Sequence, residues 1–179
     1  MAMKKQAALI EEVLVSFFGK EHDASTGIRQ KRIEQVDKLL RRYLETEATT
    51  FLTTPELALV EAEREFNPKA AVVRTVQAEA LLFGLKSFVE PPYLDPDPLL
   101  RRVQLQCVEK LAWRLITTEL RGEDTGCVEI DLDCALRRAK DELTRERREK
   151  TSARRRALLD EEIQARIATL PQIPRQVEP

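Results

Sequence analysis

The side chains best suited to catalysis or metal binding are few in this chain, and they are poorly spaced for either role. His22 is the sole histidine, so a catalytic dyad or a zinc site would have to use it or do without an imidazole. Its neighbours in the run KEHD are charged, and no Glu-x-x-His or Cys-x-x-Cys spacing accompanies it. We therefore expect His22 to lie in an exposed loop over residues 20–26 rather than in an active site.

The three cysteines, Cys107, Cys127 and Cys134, do not form a recognisable metal motif. Six residues separate Cys127 from Cys134, whereas structural zinc sites use two to four and need a second pair of ligands. Cys107 falls on the apolar face of a predicted helix, where a free thiol behaves as a small hydrophobic side chain. An odd number of cysteines without framework spacing favours free thiols in a reducing compartment.

Carboxylates on predicted helices are the remaining candidates for metal ligands, namely Glu61 with Glu65 and Glu45 with Glu119. Di-iron bundles also place a histidine three residues after a glutamate on two of their helices, which one histidine cannot satisfy. Glycine-rich phosphate loops, Gly-x-Ser-x-Gly and kinase signatures are absent from the sequence. We expect a protein that is not an enzyme and needs no cofactor or metal. A cofactor-free enzyme remains the third alternative.

The strongest charge asymmetry lies in residues 137–156, where ten basic side chains accompany four acidic ones. The net charge of this region is +6, so the rest of the chain has a net charge of −7, because the net charge of the whole chain is −1. Three interpretations stay open: a solvated helix with internal ion pairs, a surface for an acidic protein, and contacts with nucleic acid. No aromatic residue is interleaved, so nucleic acid would be contacted through phosphates only.

An apolar stripe follows this basic region. Leu159, Ile163 and Ile167 recur every four residues and predict an amphipathic helix, whereas residues 144–152 (TRERREKTS) contain no apolar side chain. Such a helix must fold back, pair with its copy, or dock on a partner. We expect one of the last two, with arginines steering association. The predicted partner-binding residues are Arg147, Arg148, Arg154, Arg155, Arg156, Leu159, Ile163 and Ile167.

Helices must position these side chains, because five glycines and 5% aromatic residues argue against a β-sandwich or barrel. Asn67-Pro68, a cap followed by proline, and apolar residues around most of the circumference predict one central helix over residues 68–89. Phe83 is expected in the core and Lys86 on a polar strip. Gly84 indicates either close approach by a neighbour or a kink. Arg74, if buried, needs a glutamate partner on a neighbouring helix.

Four further core helices are predicted, over residues 3–18, 28–51, 54–66 and 98–121. The last of these has two apolar faces. Its second face, centred on Leu105, Ala112 and Ile116, is expected either in the core or at an interface with a second copy. Residues 122–133 are expected to form an acidic loop whose alternating pattern allows a short strand, before a final helix to residue 170.

These patterns predict an all-α protein with a bundle of about five core helices in residues 1–143. An extended charged and amphipathic helix covers 144–170, and 171–179 form a disordered tail. No signal-peptide core or membrane span is found in the sequence, so we expect a cytoplasmic protein without membrane contacts.

We expect a non-catalytic adaptor or scaffold subunit that acts through helix–helix contacts, either with another protein or with a second copy of itself in a coiled-coil dimer. The alternative is a nucleic-acid-binding regulator that uses residues 137–156. No small-molecule substrate is inferred.

Overall fold

The computed structural model describes residues 8–118, 120 and 125–169 of the 179-residue chain. These residues form an all-α fold, which confirms the predicted class. In chain order, the helices of the described residues are α1 (Ile10–Asp23), α2 (Gly27–Thr46), α3 (Ala48–Phe51), α4 (Thr54–Phe66), α5 (Ala71–Thr75), α6 (Glu79–Phe88), α7 (Pro98–Thr117) and α8 (Gly126–Thr169). Not one helix among them is long and apolar enough to cross a bilayer.

The chain divides into two compact units, Met1–Lys140 and Asp141–Pro179, which we call the body and the C-terminal segment. Helix α8 begins in the body and continues through the C-terminal segment as far as Thr169. The expected tail over residues 171–179 lies outside the described residues.

The expectation of one continuous helix over residues 68–89 is wrong, because α5 and α6 are separate helices. At the break, the backbone pairs with the first residue of α1 and with the residues just before that helix. The Ile10 N–H donates to the Val76 carbonyl oxygen at 3.0 Å, and the Ala78 N–H donates to the Ala8 carbonyl oxygen at 2.8 Å. Backbone groups engaged with another segment do not complete a helical ladder. Ala70, at φ 61°, adds a left-handed residue before α5.

The core of the body forms where α5 and α6 meet α1, α2 and α7. Phe88 of α6 is 1% exposed, whereas Phe83 is 44% exposed. The expectation that Phe83 lies in the core is therefore wrong. The projection that placed it there assumed a continuous helix, and the break leaves α6 with a narrower buried face, on which Leu81, Leu85 and Phe88 lie one turn apart.

Gly84 of α6 allows a neighbouring helix to approach closely. Close approach was one of the two explanations that the sequence offered for this glycine, and a kink was the other. A Cβ at this position would lie 3.4 Å from the ring of Phe51 in α3. The Tyr43 hydroxyl of α2 donates a hydrogen bond to the Gly84 carbonyl oxygen at 2.9 Å. Helices α2, α3 and α6 are thus held together around a position without a side chain.

Helix α7 begins at Pro98 as the cap signature predicts, with the Asp97 carboxylate accepting from the Leu99 N–H at 3.0 Å. It ends at Thr117, four residues earlier than expected.

The expected loop or strand over residues 122–133 is wrong from residue 126 onward, where the chain is already helical. Leu132 and Leu136 are buried at helical spacing, whereas Ile130 is exposed, so the alternation in the sequence does not mark a buried strand face. The Thr125 hydroxyl donates to the Glu129 carboxylate at 3.0 Å beside the first turn of α8.

Candidate protein-binding segment

The C-terminal part of α8 is a helix whose local sequence favours that structure. Residues 127–169 contain neither glycine nor proline and are rich in alanine, leucine, glutamate and arginine, which have high helix propensity. Charged pairs at helical spacing add to this. Arg145 lies 3.8 Å from Glu142 and 4.0 Å from Glu149, and Arg166 lies 2.9 Å from Glu162. Exposed pairs of this kind each contribute about 0.3–0.5 kcal/mol.

The predicted apolar stripe lies on this helix and is not covered by the described chain. Leu159, Ile163 and Ile167 are 49%, 51% and 55% exposed. Their spacing of four residues places them on one face. All side chains described from residue 147 to residue 168 are exposed. The stripe therefore retains apolar area that burial against another surface would remove from water.

All five predicted partner-binding arginines are exposed, but the helix does not bring them all to the stripe. At 100° per residue, Arg148, Arg155 and Arg156 lie on or beside the face of the stripe, whereas Arg147 and Arg154 lie on the opposite face. Ion pairs among the described residues involve none of these five. Their charges are thus available to a partner.

The second apolar face of α7 lies mostly within the body. Leu105 and Ala112 are buried in the chain itself, and Ile116 is half-buried. The structure therefore places Leu105 and Ala112 in the core, the first of the two locations expected for them. Trp113, one residue after Ala112, is 68% exposed.

His22 occupies the last turn of α1 rather than the expected exposed loop, so that expectation is wrong. Its imidazole Nε2 lies 2.9 Å from the Glu34 carboxylate, and its Nδ1 lies 3.2 Å from the Gln30 side-chain amide. Both partners belong to α2. The sole histidine thus links α1 to α2, a role that its sequence neighbours do not reveal.

Two of the four candidate carboxylates, Glu45 and Glu61, make structural contacts, and Glu65 is exposed. Glu45 of α2 accepts hydrogen bonds from the backbone N–H groups of Val72 at 2.9 Å and Val73 at 3.4 Å. Burial raises the pKa of the Glu45 carboxyl above its usual value. Glu61 pairs with Arg64 at 2.7 Å, and Glu119 lies outside the described residues. Among the residues described, no three His, Cys, Asp or Glu side chains are grouped so as to hold a metal ion.

The three cysteines and Arg74 complete the set that the sequence singles out. Cys107 is buried in α7, and this burial raises the pKa of its thiol to about 12, so the sulfur stays protonated at neutral pH. Cys127 and Cys134 are exposed on α8. Arg74 is exposed, so the condition of burial attached to its expected glutamate partner is not met, although it lies 3.9 Å from Glu63 of α4.

Comparison with models of protein families, with curated proteins and with solved structures finds no match for this chain. The residues of the C-terminal segment and their exposure are therefore the basis for a proposal on function.

Proposed function

We propose that this chain is a non-catalytic adaptor or scaffold subunit that binds protein chains through its C-terminal segment. The observation that carries the proposal is the exposed stripe of Leu159, Ile163 and Ile167 on a helix. An amphipathic helix of this kind is one of the recurring modes of recognition between proteins, in which its apolar face packs against another helix or a groove. Burial of about half of three large side chains supplies the affinity.

The arginines next to the stripe give the proposed surface a preference for acidic partners. Arg148, Arg155 and Arg156 are exposed and lie on or beside the apolar face. Complementary charges accelerate encounter and disfavour wrong partners more than they add affinity. The partner surface should therefore combine an apolar strip with acidic side chains along its edge.

Other features of the body support an interaction role over chemistry. His22 and Glu45 are among the side chains best suited to catalysis or metal binding, but their hydrogen bonds link helices to each other. Cys107 is buried and held as a neutral thiol. Exposed thiols at Cys127 and Cys134 suit a reducing compartment, which supports a location in the cytoplasm.

The test is capture of crosslinked partners by the tagged full chain in its native cell. Changing Leu159, Ile163 and Ile167 together to glutamine should abolish capture. The matched control changes Leu158→Gln, since Leu158 is equally exposed but lies on another face of α8. This variant should keep the captured proteins. Equal capture by the wild type and the triple variant would refute the proposal.

Nucleic acid is the alternative ligand, favoured by the five exposed arginines. Nuclease treatment before capture separates the two possibilities. A complex that disappears with nuclease and with Arg147→Glu/Arg154→Glu, yet survives the triple glutamine change, would identify a nucleic-acid-binding regulator. Survival of the complex after nuclease treatment supports a protein partner.

A further inference from the structure

We infer that the surface bound by the C-terminal segment is the same segment of a second copy, paired antiparallel with a two-fold axis near Leu158. This inference rests on the proposed function, since it names the occupant of the apolar stripe. It follows from the order of charges along α8 and from their placement around the helix.

The charges of the C-terminal segment are of opposite sign on the two sides of Leu158. Residues 145–156 hold seven basic and two acidic side chains, whereas residues 159–169 hold three acidic side chains and one basic. In an antiparallel pair, the basic half of each copy faces the acidic half of the other. In a parallel pair in register, each half faces its own like charges, which is unfavourable.

The same order holds for single residues next to the stripe. Arg155 and Arg156 precede Leu158, and Asp160 and Glu162 follow it. At 100° per residue, all four lie on or at the edge of the face that carries Leu159 and Ile163. Antiparallel pairing about Leu158 brings Arg156 opposite Asp160 of the second copy, and Arg155 close to Glu162 of the second copy. Because a two-fold axis repeats each contact, two pairs per copy give four in the dimer.

The four charges are available for such contacts in the single chain. Among the described residues, Arg155, Arg156 and Asp160 take part in no ion pair. In the part of the chain that the structure describes, Glu162 pairs with Arg166 at 2.9 Å on the exposed surface, where an ion pair is weak and easily exchanged.

Side-chain size is also complementary in this arrangement. Ile163 falls opposite residues 152 and 153 of the second copy, which are serine and alanine. Small side chains at these positions leave room for a large knob from the facing helix. In a parallel pair, by contrast, Arg156 would face Arg156 of the second copy along the same stripe.

The first test measures the mass of the purified full chain by analytical ultracentrifugation over a concentration series. The wild type should dimerise. Arg155→Glu/Arg156→Glu should lose the dimer, and so should Asp160→Arg/Glu162→Arg. Combining all four changes reverses both signs and should restore it. The matched control, Arg147→Glu/Arg154→Glu, alters net charge by the same amount on the opposite face of the helix and should leave the dimer intact.

The second test reports the orientation of the pair. A spin label on Thr144→Cys, with Cys127→Ser and Cys134→Ser, lies fourteen residues from Leu158. Antiparallel helices place the two labels about 42 Å apart along the axis at 1.5 Å per residue. Parallel helices separate them only by about the 10 Å between helix axes plus the label arms.

The outcomes distinguish this inference from the function on which it rests. A wild-type chain that stays monomeric at all concentrations, or labels separated by the short distance, would overturn the inference. Stripe-dependent capture of another protein by a monomeric chain would still support the adaptor function. A dimer that captures nothing else would support the inference and remove the adaptor. A dimer unaffected by Arg155→Glu/Arg156→Glu would show that the copies meet elsewhere.

Discussion

The side-chain amide of Gln104 donates a hydrogen bond to the backbone carbonyl oxygen of Phe88 at 3.0 Å, although Gln104 is fully buried. The same amide nitrogen donates to the Tyr93 carbonyl oxygen at 3.0 Å, and its oxygen accepts from the Asp95 N–H at 3.1 Å. One side chain of α7 thereby holds the end of α6 and the segment over residues 89–97 that connects α6 to α7.

Gln104→Met should destabilise the body by about 2–4 kcal/mol. The substitution keeps the length of the side chain but leaves buried backbone groups without partners, each at a cost of about 1–3 kcal/mol. Gln106→Met is the matched control on the same helix, since Gln106 only accepts weak contacts from Arg29 at 3.3 Å on the exposed side. Urea unfolding of both variants measures the difference. Equal midpoints would contradict the role given to Gln104.

Phe88→Ala and Phe83→Ala should differ strongly although both residues belong to α6. Phe88 is 1% exposed and its ring lies 5.2 Å from that of Tyr43. Its removal should cost about 3–5 kcal/mol, the usual range for an aromatic side chain in a packed core. Phe83 is 44% exposed, so its removal should cost less than about 1.5 kcal/mol. Denaturant melts that rank the two in the opposite order would show that α6 buries its other face.

The sequence predicts well what short stretches of chain determine. Helices α4 and α7 begin with a proline in their first turn, because the fixed φ of proline acts locally. The same kind of signature at Asn67-Pro68 does not begin a helix at once, since α5 begins only at Ala71. The break between α5 and α6 cannot be predicted from the local sequence. Val76 and Ala78 continue the apolar pattern, and only pairing with Ala8 and Ile10, far away in the chain, interrupts the helix.

The candidate site likewise has features that local sequence predicts and features that depend on tertiary packing. Four-residue spacing identifies Leu159, Ile163 and Ile167, and the structure adds that they are exposed. Spacing cannot tell whether such a stripe is covered by the chain itself, because coverage depends on tertiary packing. The second face of α7 shows this, since Leu105 has an equally apolar pattern around it and is buried.

Cys107 should remain unreactive towards thiol reagents in the folded protein. Burial raises the pKa of its thiol from 9.0 to about 12, and the thiolate is the reactive form. Titration with a chromogenic disulfide at pH 8 should therefore detect Cys127 and Cys134, which are exposed, and a third thiol only after denaturation. Three fast-reacting thiols in the native state would contradict the burial.

The same pKa predicts how stability responds to alkaline pH. The unfolded chain releases the Cys107 proton near pH 9, whereas the folded chain holds it to about pH 12. Since the folded state binds more protons in this window, the free energy of unfolding should fall as pH rises through it. Cys107→Ala should reduce this slope, and Cys134→Ala, at an exposed thiol, serves as the control that should not. Identical slopes would contradict the prediction.

Deleting residues 157–179 should leave the stability of the body unchanged within about 0.5 kcal/mol, the usual range for exposed sites. All side chains described from residue 157 to residue 168 are exposed, so deleting them removes little buried apolar area. Thermal unfolding at a concentration low enough to avoid association measures this. A large loss of stability would mean that the segment belongs to the core of the body.

The response of the dimer to salt should reveal which charges face each other. In the antiparallel pair, Arg156 lies opposite Asp160 of the second copy, so screening removes an attraction. The Debye length falls from about 10 Å at 0.1 M to about 3 Å at 1 M, and the dissociation constant measured by sedimentation should rise over this range. A parallel pair in register would respond in the opposite direction, because salt would screen repulsion between like charges.

Arg155→Glu/Arg156→Glu provides the internal comparison. It leaves the interface predominantly acidic, so any residual association of this variant should strengthen with salt while that of the wild type weakens. A wild-type dimer that tightens as salt is added would contradict the pairing of Arg156 with Asp160.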